Sequence, residues 1–282
     1  MVFIPRRVRR LSANEPSDEA RSQPLEELRD LAAWVLLGEP GAGKSKAFEQ
    51  EALETEGHCI SIAKFLSDDP DPTWQGKTLY LDGLDETRAS GGDTSILLKV
   101  RAHLRKLGNP RFRIACRAAD WFGSTDSQAI GDASPNGQLT VFTLEPLNDS
   151  EIREILRQNH GISDLDSFME KARQRGIDGL LHNPQTLRLL AESFGNGNEP
   201  STRQETFELA CKKLAEEDSP EHRHQRRDQA ISVERLMAAA GQLCAALLLS
   251  DKTGLALDAA SADSQFPQIE ELLPCDLSAA QL

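Results

Sequence analysis

The chain has 282 residues, 45 acidic against 32 basic, and a formal net charge of −13 at pH 7. That balance argues against a surface built broadly for nucleic acid or anionic membranes. A hydrophobic fraction of 39% and a charged fraction of 27% fit a globular chain able to bury one large or two modest cores.

The first 23 residues mix Arg, Ser, Pro and acidic side chains, and the expectation is a loosely ordered arm. Arg6, Arg7, Arg9 and Arg10 crowd its start and read as a solvated tail. The opening apolar stretch is too short for a signal peptide. No run is judged to approach a membrane span, so a cytoplasmic chain without membrane contact is expected. The five cysteines, Cys59, Cys116, Cys211, Cys244 and Cys275, are far apart and include no C-x-x-C, so they read as small hydrophobes in a reducing compartment.

From Pro24 a short helical turn, Leu25 to Leu28, leads to a strand at about 33–37. Directly after it stands Gly38-Glu39-Pro40-Gly41-Ala42-Gly43-Lys44-Ser45, a full match to G-x-x-x-x-G-K-[ST]. Phosphate binding needs this order of strand, glycine-rich loop and helix. The glycines let backbone N–H groups turn inward, and the helix from Lys44 to about Thr55 adds the positive end of its dipole. Lys44 would reach the β- and γ-phosphates, Ser45 would ligate Mg²⁺, and Gly38 to Lys46 would together hold the phosphates.

Further strands are expected near 58–62, 78–81, 112–116 and 139–144, with a helix at about 94–107. Strands alternating with helices imply a parallel α/β sheet with helices on both faces. After Pro146 the pattern changes. Asn148 to Glu151 reads as a capping box opening a helix to about Asn159. Helices are expected near 165–174, 184–194, 204–217 and 233–249, with 195–200 a flexible connection. The predicted organisation is an arm at 1–23, a nucleotide-binding domain at 24–147, a helical lid at 148–230, and a C-terminal region at 231–282 that is helical or winged-helix-like. His222-Arg223-His224 lies in a charged stretch and reads as solvated.

The third strand runs into Leu81-Asp82-Gly83-Leu84-Asp85-Glu86. A P-loop fold places its second Mg²⁺ group at the carboxyl end of such a strand, here Asp82. Three carboxylates this close repel one another unless a cation is near. Asp85 and Glu86 are both candidates to orient an attacking water, with Glu86 favoured. Ser90-Gly91-Gly92 is similar to a transporter-ATPase core but follows the acidic motif, so a turn explains it. No N-K-x-D occurs, which leaves adenine as the expected base.

The Asp82-Gly83-Leu84-Asp85-Glu86 segment resembles the D-G-h-D-E signature of NACHT-type STAND P-loop NTPases, where h is apolar. Arg113-Ile114-Ala115-Cys116-Arg117 resembles the strand-four segment of bacterial members, which ends in a sensor arginine. Leu144-Glu145-Pro146-Leu147 is similar to their strand-five exit, and Leu181-His182-Asn183-Pro184-Gln185-Thr186-Leu187 to the helical-domain segment whose proline packs on adenine. These marks span roughly residues 33–190.

The resemblance implies strand four between strands one and three, with Arg117 beside the γ-phosphate; the competing role of Arg117 is a salt bridge to Asp82 or Asp85. It also implies an ATP-binding, slowly hydrolysing switch, closed with ADP and open with ATP, that forms homo-oligomers in a defence or regulatory response. Sensor and effector modules would lie outside this chain, which reads as a fragment. The alternative is a conventional P-loop ATPase or phosphotransferase acting on a small molecule. A nucleic-acid-driven motor is disfavoured by the acidic balance.

Overall fold

In the computed structural model, the segments 33–37 and 112–116, apolar but for Arg113, lie side by side in one seven-stranded sheet. The structure describes residues 4–11, 22–67, 69–91, 95–194, 202–216, 232–250, 252, 254–256 and 267–272. The strands are β1 (Arg7–Arg10), β2 (Ser22–Pro24), β3 (Ala33–Leu37), β4 (His58–Ser61), β5 (Leu79–Asp82), β6 (Phe112–Cys116) and β7 (Thr140–Leu144). Their spatial order is β2-β1-β7-β3-β6-β5-β4, parallel from β7 to β4, with β1 and β2 antiparallel at one edge. The five predicted strands are all present, and the fourth of them, β6, lies between β3 and β5. This is the sheet of a P-loop NTPase, with the glycine-rich loop leaving its β3 strand.

Alternation along β3 builds two cores. Trp34 and Leu36 face α1 (Lys44–Glu54), joining Phe48, Tyr80 and Phe142. Trp34 and Tyr80 each meet Phe48 edge-on, at centroid distances of 5.7 and 5.4 Å. Val35 and Leu37 face the other side, packing with Ile62 and Phe65 of α2 (Ile62–Ser67), Leu84 of α3 (Leu84–Gly91), Leu97, Val100 and Leu104 of α4 (Ser95–Lys106), and Ile130 of α5 (Ser124–Gly131). Short helices α2, α3 and α5 were not expected from the sequence; none is long enough to show a clear apolar period.

The loosely ordered arm requires correction. Arg7–Arg10 is a strand in register with β7, Val8 opposite Leu144 and Arg9 opposite Thr143, and Ser22–Pro24 pairs with it. Its arginines are engaged. Arg9 pairs with Glu145 at 3.1 Å, Arg7 donates to Ser22 Oγ at 2.8 Å, and Arg6 is buried.

A second buried arginine, Arg113 on β6, donates to the carbonyls of Arg29, Leu31 and Ala32 at 2.7–3.1 Å and lies over the Trp34 ring at 5.1 Å. Burial lowers its pKa to about 10. It ties down the entry to β3 by donating to carbonyls of the residues between the turn at Leu25–Leu28 and the strand.

After β7 come α6 (Asp149–His160), α7 (Leu165–Gln174) and α8 (Pro184–Phe194). Asn148 and Glu151 make the expected capping box. Contacts divide the chain into Met1–Ala191 and Glu192–Leu282, later than the expected boundary at 147. The cause is visible at Leu147, whose N–H donates to His182 O at 2.8 Å while its carbonyl meets His182 Nδ1 at 2.6 Å.

The second unit contains α9 (Arg203–Glu216), α10 (Val233–Ser250) and α11 (Ile269–Leu272), with Ala239, Leu243 and Ile269 in its core. By length and composition alone, α10 is apolar enough to cross a membrane, which corrects the expectation that no run approaches that length. Its Leu- and Ala-rich sequence, with few charges, is the reason. The expected connection at 195–200, the His222–His224 stretch and Cys275 lie outside the described residues.

Thiol chemistry checks this placement. Burial pushes the Cys116 thiol up to about 12 and the half-buried Cys59 to about 11, whereas Cys211 and Cys244 are exposed. Because the thiolate is the nucleophile, iodoacetamide at about pH 8 should label Cys211 and Cys244 first, and Cys116 only in denaturant. Mass spectrometry of the labelled peptides reads this out. Equal labelling of Cys116 in the native chain contradicts its position in β6.

Candidate functional site

The loop between β3 and α1 departs from the carboxyl end of the buried central strand. Two of its residues, Gly41 (φ 73°) and Gly43 (φ 93°), occupy the left-handed region that favours glycine. Gly43 is the N-cap of α1 and brings no side chain to cap it, so the first-turn N–H groups are left for another acceptor. An uncapped helix start behind an inward-curled backbone is what an anion requires.

Lys44 folds back along this loop, its Nζ donating to Gly38 O at 2.7 Å and Glu39 O at 3.1 Å. Burial lowers its pKa, with Asp85 and Asp82 opposing that shift. Asp82, at the end of β5, accepts from Gly83 N at 3.0 Å. Burial raises its pKa, and hydrogen bonding to Ser45 pulls the other way. The structure therefore brings together Ser45, Lys44 and Asp82 from two strand ends, as expected. A buried carboxylate beside a hydroxyl fits a hard cation such as Mg²⁺.

Asp85 and Glu86 open α3 in different settings. Asp85 is nearly buried and is held twice by Arg117: by its Nε at 2.6 Å and its backbone N–H at 3.2 Å. Arg117 leaves β6 directly and keeps about half of its side chain exposed. Its salt-bridge role is thus the arrangement present here. Glu86 is exposed, with Oε2 3.1 Å from the position of a Cβ on Gly83. Three residues after Asp85, Arg88 makes two bonds to buried Asp126, at 2.7 and 2.9 Å, and also donates to Asp120 O. Residues 85 and 88 of α3 thereby grip both ends of the segment that follows β6.

Lys46 is the last of the loop candidates. Its side chain pairs with Glu49 at 2.6 Å on the exposed face of α1, so only its backbone belongs to the helix start. Pro184 does reach the loop: its Cγ lies 3.6 Å from where a Cβ on Gly43 would stand. Its neighbours, not singled out from the sequence, reach further. Asn183 Nδ2 donates to Pro40 O at 2.9 Å, and Gln185 N donates to Gly41 O at 3.3 Å. Arg6 donates to Ala42 O at 2.7 Å and Glu145 O at 2.6 Å. The carbonyls of Gly38, Glu39, Pro40, Gly41 and Ala42 all have donors, supplied by Lys44, Asn183, Gln185 and Arg6. Apart from those of Lys44, these contacts join positions 36 to 143 or more residues apart, and no local pattern announces them.

No protein-family model matches the chain, and no curated protein matches it either. Solved structures similar to it include the RuvB Holliday junction branch migration motor of Thermotoga maritima, at 12% identity and a TM-score of 0.39, covering 86% of this chain and 76% of that one. Another is AMPPCP-bound DnaA from Aquifex aeolicus, at 14% identity and a TM-score of 0.40, covering 80% and 77%. The assignment of the fold rests on the chain's own strand order and loop.

Glycine substitutions test the seating of residues 183–185 on the loop. A Cβ on Gly41 would stand 2.7 Å from Gln185 Cβ and 3.0 Å from Asn183 Oδ1, whereas one on Gly76, at a similar φ of 77°, would meet nothing within 4 Å. Both Gly→Ala changes carry backbone strain of about 1–2 kcal/mol. Gly41→Ala should lower the thermal midpoint several degrees further than Gly76→Ala, at roughly 2–4 °C per kcal/mol for a unit of this size. Equal midpoints would show that residues 183–185 do not rest on Gly41.

Proposed function

We propose that this chain is a nucleotide-controlled switch of the NACHT/STAND type, binding ADP and ATP with Mg²⁺ at the β3–α1 loop. The observation that carries the proposal is the attachment of Asn183-Pro184-Gln185 to Pro40, Gly41 and Gly43. It ties the segment entering α8 directly to the phosphate-binding backbone. Occupancy of one is therefore felt by the other, which a switch needs.

The roles follow from position. Backbone N–H groups of 41–45 and the Lys44 ammonium would hold the phosphates, and Ser45 and Asp82 the metal. Pro184 offers an apolar face for adenine. Bound ATP supplies the terminal phosphate that distinguishes it from ADP.

In the structure Arg117 is committed to Asp85. A guanidinium there can exchange this half-exposed carboxylate contact for a phosphate oxygen, since both accept charge-assisted bonds from Arg. Leaving Asp85 would free that carboxylate beside Glu86 to orient water, so ion-pair exchange at Arg117 separates the two states. Slow hydrolysis, homo-oligomerisation of the open form, and sensor and effector modules outside this chain complete the reading.

Calorimetric titration tests it. Wild-type protein should bind ADP and ATP with unequal affinity, and its hydrodynamic size should differ between the two. Lys44→Ala should lose nucleotide binding by at least about 100-fold, the loss expected when a desolvated charged contact to phosphate is removed. Arg117→Ala should leave ADP affinity within about threefold while weakening ATP about tenfold, or roughly 1.4 kcal/mol. Unchanged binding in Lys44→Ala would falsify the site. Equal affinities for ADP and ATP with one hydrodynamic size would remove the switch, since equal affinity shifts no equilibrium.

A further inference from the structure

The rear of the phosphate loop carries a charge with no evident counter-ion. Arg6 is 6% exposed, and among the described residues no carboxylate makes an ion pair with it. Its guanidinium is divided between two carbonyls of separate elements: Nη1 donates to Ala42 O at 2.7 Å, and Nη2 to Glu145 O, just past β7, at 2.6 Å. Nη1 also lies 3.1 Å from where a Cβ on Gly43 would stand, on the residue that caps α1. Burial lowers its pKa, opposed by the more distant charge of Glu151. An arginine remains charged under such conditions, so the fold retains a buried cation at the turn from loop to helix.

We infer that Arg6 is a positioning residue of the nucleotide site. A peptide unit that turns its N–H toward a phosphate turns its carbonyl the other way. That carbonyl then needs a donor behind the loop. Arg6 supplies this donor at Ala42, so the Ala42–Gly43 peptide keeps its N–H inward without nucleotide. Its second bond anchors the same guanidinium to the end of β7, which makes the orientation rigid. The positive charge behind the loop also adds to the potential that attracts phosphate.

Lysine at this position could meet one carbonyl but not both, because its donors do not form a planar fork. The bland account is that Arg6 only pins β1 to the sheet. Arg7 serves as the comparison. It is the next residue, the first of β1, and bonds Ser22, with Glu145 nearby, but has no bond to the loop.

This inference rests on the proposed function, and a titration with ADP and Mg²⁺ separates the two. The variants are Arg6→Ala, Arg6→Lys and Arg7→Ala in the full chain, with thermal midpoints measured alongside. Arg6→Ala should weaken ADP binding about tenfold, and Arg6→Lys about threefold, each below its thermal midpoint. Arg7→Ala should bind ADP within about twofold of wild type even where its midpoint falls as far. That contrast would not appear if Arg6 merely held β1 in place.

Wild-type-like ADP affinity in folded Arg6→Ala overturns the inference and leaves the nucleotide site standing. If Arg6→Ala does not fold, Arg6→Lys decides by the same comparison. A wild-type chain that binds neither ADP nor ATP overturns the site and the role of Arg6 together.

Discussion

A glycine-rich turn can present its N–H groups to an anion only if its carbonyls are satisfied elsewhere. In this molecule that condition organises much of the first unit. Lys44 closes the carbonyls of Gly38 and Glu39 from within the loop, and Gly43 O accepts from Ala47 N as α1 begins. The rest are met from outside: Pro40 and Gly41 from the start of α8, and Ala42 from the residue preceding β1. Each bond contributes only about 0.5–1.5 kcal/mol net, so the hold on the loop comes from several of them together. The loop is held by two stretches of the chain that lie 36 and 143 residues from it in sequence.

On the opposite side, charged pairs link the acidic motif to the end of β6. Asp85 holds Arg117, and Arg88 holds Asp126, both from α3. The two pairs differ in kind. Arg88 and Asp126 are almost fully buried, and removing either partner would strand a charge, at roughly 3–5 kcal/mol. Arg117 is half exposed, so its pair is weaker and exchangeable. A fixed pair beside an exchangeable one gives α3 a firm anchor and a movable contact.

The core of the fold was readable because its signals are local. Trp34 to Leu37 is a continuous apolar run and Phe112 to Cys116 is apolar but for Arg113, as suits strands buried on both faces. The capping box at Asn148 and the eight-position loop each lie within a few residues. The arm was misread for the opposite reason. Arg7-Val8-Arg9-Arg10 has one apolar side chain, and its strand exists because Val8 meets Leu144 and Glu145 gathers Arg7 and Arg9. Among the site residues, Lys44, Ser45 and Asp82 were legible from motif spacing, and Pro184 from resemblance. Arg6, Asn183 and Gln185 act through backbone carbonyls about 35 to 145 positions away, and composition does not encode such partners.

The central claim is that the α8 entry reads the state of the loop. Its most direct measure is amide hydrogen exchange at Gln185, whose N–H donates to Gly41 O, with Ala47 inside α1 as an internal reference. With ADP and Mg²⁺ the Gln185 amide should be protected. With a non-hydrolysable ATP analogue it should exchange faster, by about tenfold or more if closure is worth at least roughly 1.4 kcal/mol, while Ala47 stays the same. Equal protection of Gln185 in the two states would contradict the account, because the segment would then rest on the loop whatever nucleotide it held.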